Sequence, residues 1–106
     1  MKFNVNDDNI FLIVHIIGLI TALGTELLQP EECEVLLFNP YIAQECMNNN
    51  IDKAIINILE KCMELDDIKR IVPHEFQKAL CDIKKECFSY LQSHTKIEYP
   101  INRYFE

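Results

Sequence analysis

Apolar residues along this chain recur at helical spacing, and no run shows convincing strand-like alternation. The longest apolar run, Ile10 to Leu23, lies between Asn6-Asp7-Asp8-Asn9 and Thr25-Glu26. Asp7 or Asp8 is placed to cap a helix running to about Leu28. That helix is apolar nearly all round, which predicts a central helix covered on several sides. Gly18 and Gly24 permit close packing by neighbours, at about 1 kcal/mol each relative to Ala. Gln29-Pro30 ends it, and Pro30 suits the first turn of a second helix. Glu31, Glu32 and Glu34 then meet the positive end of that helix. Cys33, Leu36 and Leu37 form its inward face, and Asn39-Pro40 stops it, because a residue before proline avoids helical backbone.

Tyr41 to Met47 predicts a short helix, followed by a loop of three asparagines in which Asn50 is a candidate N-cap. Ile51 to about Glu64 is the clearest amphipathic stretch, with Ile51, Ile55, Ile58, Leu59 and Cys62 on one stripe. Leu65 to Val72 is short and stops before Pro73. Pro73 opens a last long helix, with Phe76, Leu80, Ile83, Cys87 and Leu91 inward and Lys78, Asp82, Lys84, Lys85 and Glu86 outward. Thr95 to Glu106, carrying Ile97, Tyr99, Pro100, Tyr104 and Phe105, reads as an extended tail lying against the body. The expected fold is all-α: one domain over residues 1–106, a bundle of about five to six helices with an extended C-terminal tail. Phe11, Val14, Ile17, Ile20, Ile55, Ile58, Leu59, Leu80 and Ile83 are expected to share its core.

Composition agrees with that class. At 106 residues and 49% hydrophobic, the chain is long and apolar enough for one core without staples. Seventeen acids against ten bases give a net charge of −7, which argues against nucleic-acid binding. The acid is concentrated: residues 26–67 carry a net −8, while residues 68–106 carry +2. Such a block favours solubility and fast capture of a basic partner.

The 14-residue run Ile10 to Leu23 falls short of the ~18–20 residues that span a bilayer, and acid rather than base precedes it. A buried helix is expected, with no membrane association. Five cysteines (Cys33, Cys46, Cys62, Cys81 and Cys87) form no C-x-x-C, and three histidines show no ligand spacing. Free thiols packed as small apolar residues, no metal, no cofactor and a reducing cytoplasm are expected.

No G-x-S-x-G, H-E-x-x-H or Walker A pattern occurs, and no enzyme is expected. His74-Glu75 are adjacent residues that do not face each other on a helix. His15 reads as a core histidine or as one lining a shallow pocket. Glu64, Asp66 and Asp67 lie at a junction, where Asp66 or Asp67 would cap the following helix.

Two segments, ELLQPEECEVLLFNPY and INILEKCMELDDIKRIVP, resemble a family of small, acidic, all-helical bacterial proteins of unknown function. The matching residues are Glu31, Glu32, Leu36, Leu37, Phe38, Asn39 and Pro40, then Glu64, Leu65, Asp66, Asp67, Ile68, Val72 and Pro73. Lys61-Cys62-Met63 stand where members carry Gly-Thr. Proteins of this kind resemble immunity proteins that neutralise bacterial toxins. The resemblance implies a non-catalytic binding protein whose partner is a toxin domain, a cationic nuclease being the expected type. Glu31, Glu32, Glu34, Glu64, Asp66 and Asp67 are the candidate contacts, with Phe38 and Tyr41 as aromatic anchors. The alternative is a helical adaptor or structural module with no toxin partner, its acid merely solvated.

Overall fold

The structure, a computed structural model, describes residues 7–94. Helices α1 (Asp7–Gly24), α3 (Pro40–Asn48), α4 (Lys53–Met63) and α6 (Phe76–His94) form the frame. Two seven-residue helices, α2 (Pro30–Leu36) and α5 (Leu65–Ile71), connect them, and a 3₁₀ turn at Pro73–Glu75 leads into α6. The bundle is therefore framed by four helices rather than five or six, because α2 and α5 are each stopped within two turns. No strand occurs among the described residues. The expected tail, from Thr95 onward, lies outside the described residues.

The largest interface is between α1 and α6, which run antiparallel. At one end the Gln77 amide Nε2 reaches the Gly24 carbonyl at 3.5 Å, and Leu80 approaches the Gly24 Cβ position at 3.7 Å. At the other end Asn9 Oδ1 accepts the Asp52 N–H at 2.9 Å, and the Tyr90 hydroxyl donates to the Asp52 carboxylate. One apolar core runs through every helix and includes Ile13, Ile16, Ile20, Ile55, Ile58, Leu59, Leu80 and Ile83.

α1 is not covered all round. Asn9, Ile13, Ile16, Ile20 and Leu23 turn inward at helical spacing. Phe11 and Val14 are 59% and 53% exposed, so they are not core residues, and Ile17 is only partly buried. An unbroken apolar run fixes no phase; the phase comes from α4 and α6, which cover one side. Leu36, expected inward on α2, is 59% exposed, while Cys33 is fully buried.

Two of the helix ends, those of α1 and α3, use left-handed backbone. Glu26 has φ 62°, with the Leu27 N–H on the Ala22 carbonyl at 2.9 Å and the Glu26 N–H on the Leu23 carbonyl at 3.2 Å. These bonds close a Schellman motif, which is why α1 stops at Gly24 and not at Leu28. Asn50 has φ 60° and closes α3 the same way, its Ile51 neighbour bonding back to the Cys46 carbonyl at 3.0 Å. Asn50 is thus the end of α3 and not the cap of α4; that position is Asp52. Asp7 and Asp8 both lie within α1 and do not occupy its N-cap.

Candidate functional site

All the acidic residues expected to bind a partner except Glu64 fall on two elements that touch, α2 and α5. Pro30 fixes the first turn of α2, and the Glu32 carboxylate accepts the Gln29 N–H at 2.9 Å. Half of a capping box is thereby made, so Glu32 holds the helix start. Pro30 and Cys33 face the core, which turns Glu31, Val35 and Leu36 to water. Val35 is 83% exposed.

Asn39 makes the corner into α3. Its Nδ2 donates to the Glu34 carbonyl at 2.7 Å, and its Oδ1 accepts the Ile42 N–H at 2.9 Å. The end of α2 and the start of α3 are therefore held together, with Tyr41 on the outside at 71% exposure. Phe38 lies under this corner at 2% exposure. It is a core residue and not an aromatic anchor, because the chain must bury one large side chain where α2 ends without a stripe of its own. Leu27, Val35 and Ile71 are exposed apolar residues that the spacing did not single out, and Leu36, which it placed inward, is exposed beside them. The available signal concerns Val35, which lies across the helix from Cys33; spacing alone groups Leu36 with Cys33 and Leu37 and does not foretell its exposure.

The second acidic group divides. Glu64 stands between α4 and α5, at the cap position but without a side-chain cap bond, and lines a groove with Glu60, Lys61, Lys85 and Glu86. Lys61 crosses that groove to Glu86 at 2.8 Å. Asp66 and Asp67 fall in the first turn of α5 and not at its cap, and Asp67 pairs with Arg70 at 2.5 Å. Between α2 and α5 the recorded bridge is a cation: Lys69 donates to Gln29 Oε1 at 2.8 Å and lies 5.2 Å over the Phe76 ring. Glu31 and Glu34 therefore keep carboxylates that no described cation pairs, whereas Glu32 and Asp67 are engaged within the fold.

The buried thiols are poor nucleophiles. Cys33, Cys46, Cys62, Cys81 and Cys87 are all free, and all but Cys81 are buried. Burial pushes Cys33 up to about 11, with the Glu32 charge adding to it. Burial likewise raises Cys87 to about 11 and is the first cause of the rise at Cys46 and Cys62. A raised thiol is protonated at neutral pH and neither attacks nor ligates. His15 is exposed on α1 and lines a shallow groove with Phe11, Leu12, Ile42, Cys46 and Ile51; it is not a core histidine. His74 and Glu75 stand 3.8 Å apart on the surface. No group of three His, Cys, Asp or Glu among the described residues could hold a metal ion. No helix among them is long and apolar enough to cross a membrane.

The family described as "Protein of unknown function (DUF3969)" matches residues 3–106, almost the whole chain, and the chain belongs to that family. No curated protein and no solved structure matches it.

Proposed function

We propose that this member of the DUF3969 family is a non-catalytic binding protein of the cytoplasm, an immunity protein that occludes the cationic site of a toxin domain, a nuclease being the expected type. The observation that carries the proposal is the solvent face of α2 and its corner into α3. Glu31, Val35, Leu36 and Tyr41 stand exposed there on backbone fixed by Asn39. Apolar and aromatic anchors beside unpaired carboxylates suit a partner surface that carries Lys or Arg around an apolar patch. Carboxylates opposite a nuclease site would occupy the positions of substrate phosphates, and their field would speed encounter.

The alternative, a helical adaptor with no toxin partner, draws support from Glu32 and Asp67, whose carboxylates already serve this fold. The two differ in one experiment. The chain is co-expressed with the toxin-type domain encoded beside it, and cell survival and complex formation are measured. Protection together with a stoichiometric complex supports immunity. A neighbouring domain that kills equally with and without this chain overturns it.

A further inference from the structure

α3 packs on α4, and α1 packs on α6 and α4, but α1 and α3 do not pack closely on each other. A groove runs between them. Leu12, Ile42, Cys46 and Ile51 form its apolar floor, and the exposed Asp8 and Glu45 stand at its rim. Helical spacing builds both walls: Asp8 and Leu12 share one stripe of α1, and Ile42, Glu45 and Cys46 one stripe of α3. None of the lining residues belongs to α2, so this is a surface separate from the α2 face.

Charge narrows what the groove can take. Residues 7–52 contain no Lys or Arg. Lys53, the first base after them, lines a different hollow with Met47 and Asn50. No ion pair among the described residues engages the carboxylate of Asp8 or Glu45. A second copy of this chain would bring a net charge of −7 to that acid and be repelled. Apolar side chains flanked by Lys or Arg cover the floor and pair the rim, so the complementary occupant is basic and apolar together.

Length narrows it further. From Ile42 to Asn49 α3 advances about 10 Å along the groove. Alternate side chains of an extended segment stand about 7 Å apart, so two of them fit. We propose that the α1–α3 groove docks a short extended segment of a basic partner protein. Two alternate apolar side chains lie on Leu12, Ile42, Cys46 and Ile51, and the flanking Lys or Arg meets Asp8 and Glu45. The assignment holds whether or not that partner is a toxin.

Three capped peptides test this on the full chain: Arg-Leu-Arg-Leu-Arg, Arg-Ser-Arg-Ser-Arg and Glu-Leu-Glu-Leu-Glu. Amide shifts in NMR titrations at low salt give both the affinity and the place of binding. The Arg-Leu peptide should move Leu12, Ile42, Cys46 and Ile51 together and bind more tightly than either of the others. Glu45→Lys should weaken the Arg-Leu peptide about three- to tenfold and strengthen the Glu-Leu peptide in return. A gain of that kind does not arise from damage to the fold. If Glu45→Lys does not fold, Asp8→Asn is read for the weakening alone. Equal binding of the Arg-Ser peptide overturns the proposal, because the apolar floor then plays no part. Equal binding of the Glu-Leu peptide removes the role of the rim and overturns it too. Shifts confined to Glu31, Val35, Leu36 and Tyr41 overturn the groove and leave the α2 contact standing. Groove shifts that change when the chain alone is diluted assign the groove to a second copy and also overturn it.

Discussion

The Tyr90 hydroxyl on α6 donates to the Asp52 carboxylate at the start of α4, and the Asp52 N–H is in turn held by Asn9 of α1. Three helices far apart in sequence meet at this one polar node. Asn9 is the one buried polar residue among those described, and its acceptor is used. Tyr90→Phe removes a hydrogen bond to a charged acceptor and should cost about 1.5–3 kcal/mol. In a double-mutant cycle with Asp52→Asn, the pair should show a coupling of about 0.5–3 kcal/mol by urea denaturation. Strictly additive losses would show that the two side chains do not depend on each other.

Stability should fall in alkali. Burial, then the hydrogen bond and charge of Asp52, raise the Tyr90 hydroxyl above the usual tyrosine value. Burial raises Cys33, Cys46, Cys62 and Cys87 above the ordinary thiol value of 9.0. In each case the folded form holds its proton more tightly than the unfolded form. The resulting stability is fully present below the unfolded pKa and is lost as pH rises through the folded one. Within that window each such group lowers stability by up to about 1.4 kcal/mol per pH unit. Urea midpoints should be level from pH 7 to about 8.5 and drop steeply between about pH 9 and 11. A midpoint unchanged at pH 10.5 would be incompatible with protonated, buried thiols.

The phase of α1 sets a third expectation. Ile16 is fully buried and Val14 faces water. Ile16→Ala should cost about 2–5 kcal/mol through lost burial and a cavity. Val14→Ala should stay within roughly 0.5 kcal/mol, the usual range for a surface change. Equal losses at the two positions would mean that α1 is rotated from the orientation described.

Much of this fold is legible in the sequence where polar residues interrupt the apolar ones. The stripe Ile55, Ile58, Leu59 and Cys62 on α4, and Phe76, Leu80, Ile83 and Cys87 on α6, are buried as their spacing requires. In α1 the pattern lacks polar punctuation, and Phe11 and Val14 could not be told from Ile13 and Ile16 by hydropathy. Phe38 and Tyr41 flank the same Asn39-Pro40 corner, yet one is buried and the other exposed. Local sequence carries no signal for that difference, which comes from where the corner meets the core. Of the acidic residues, Glu32 and Asp67 turned out to be engaged by groups three residues away, a spacing the sequence does contain.

Glu26 offers a gain in stability. It holds φ 62° at the close of α1, a conformation that costs an L-residue roughly 1–2 kcal/mol. Glu26→Gly relieves that strain but adds about 0.5–1 kcal/mol of unfolded-state entropy. The balance should be a stabilisation of up to about 1 kcal/mol, seen as a higher thermal midpoint. Asn50→Gly should gain less, because asparagine tolerates the left-handed region. A lower midpoint for Glu26→Gly would mean that its side chain contributes more than the backbone strain costs.

The α2 face allows charge and contact to be tested apart. Glu31 and Glu34 carry carboxylates without a described cation, so reversing both to Lys should slow capture of a basic partner and flatten its salt dependence. Asp66→Lys with Asp67→Lys should act more weakly on the rate, because Arg70 already compensates Asp67. Val35→Ser with Leu36→Ser removes apolar area without changing charge, and should speed dissociation while leaving the association rate nearly intact. Tyr41→Ala should act in the same direction, by about 2 kcal/mol or more if it anchors the interface. Glu32 is left in place throughout, since losing its bond to Gln29 would weaken α2 itself. Circular dichroism on each variant separates a lost contact from a lost helix. If folded variants at all of these positions keep the original rates and still protect cells, the partner binds elsewhere, and the exposed apolar residues of α2 serve another contact.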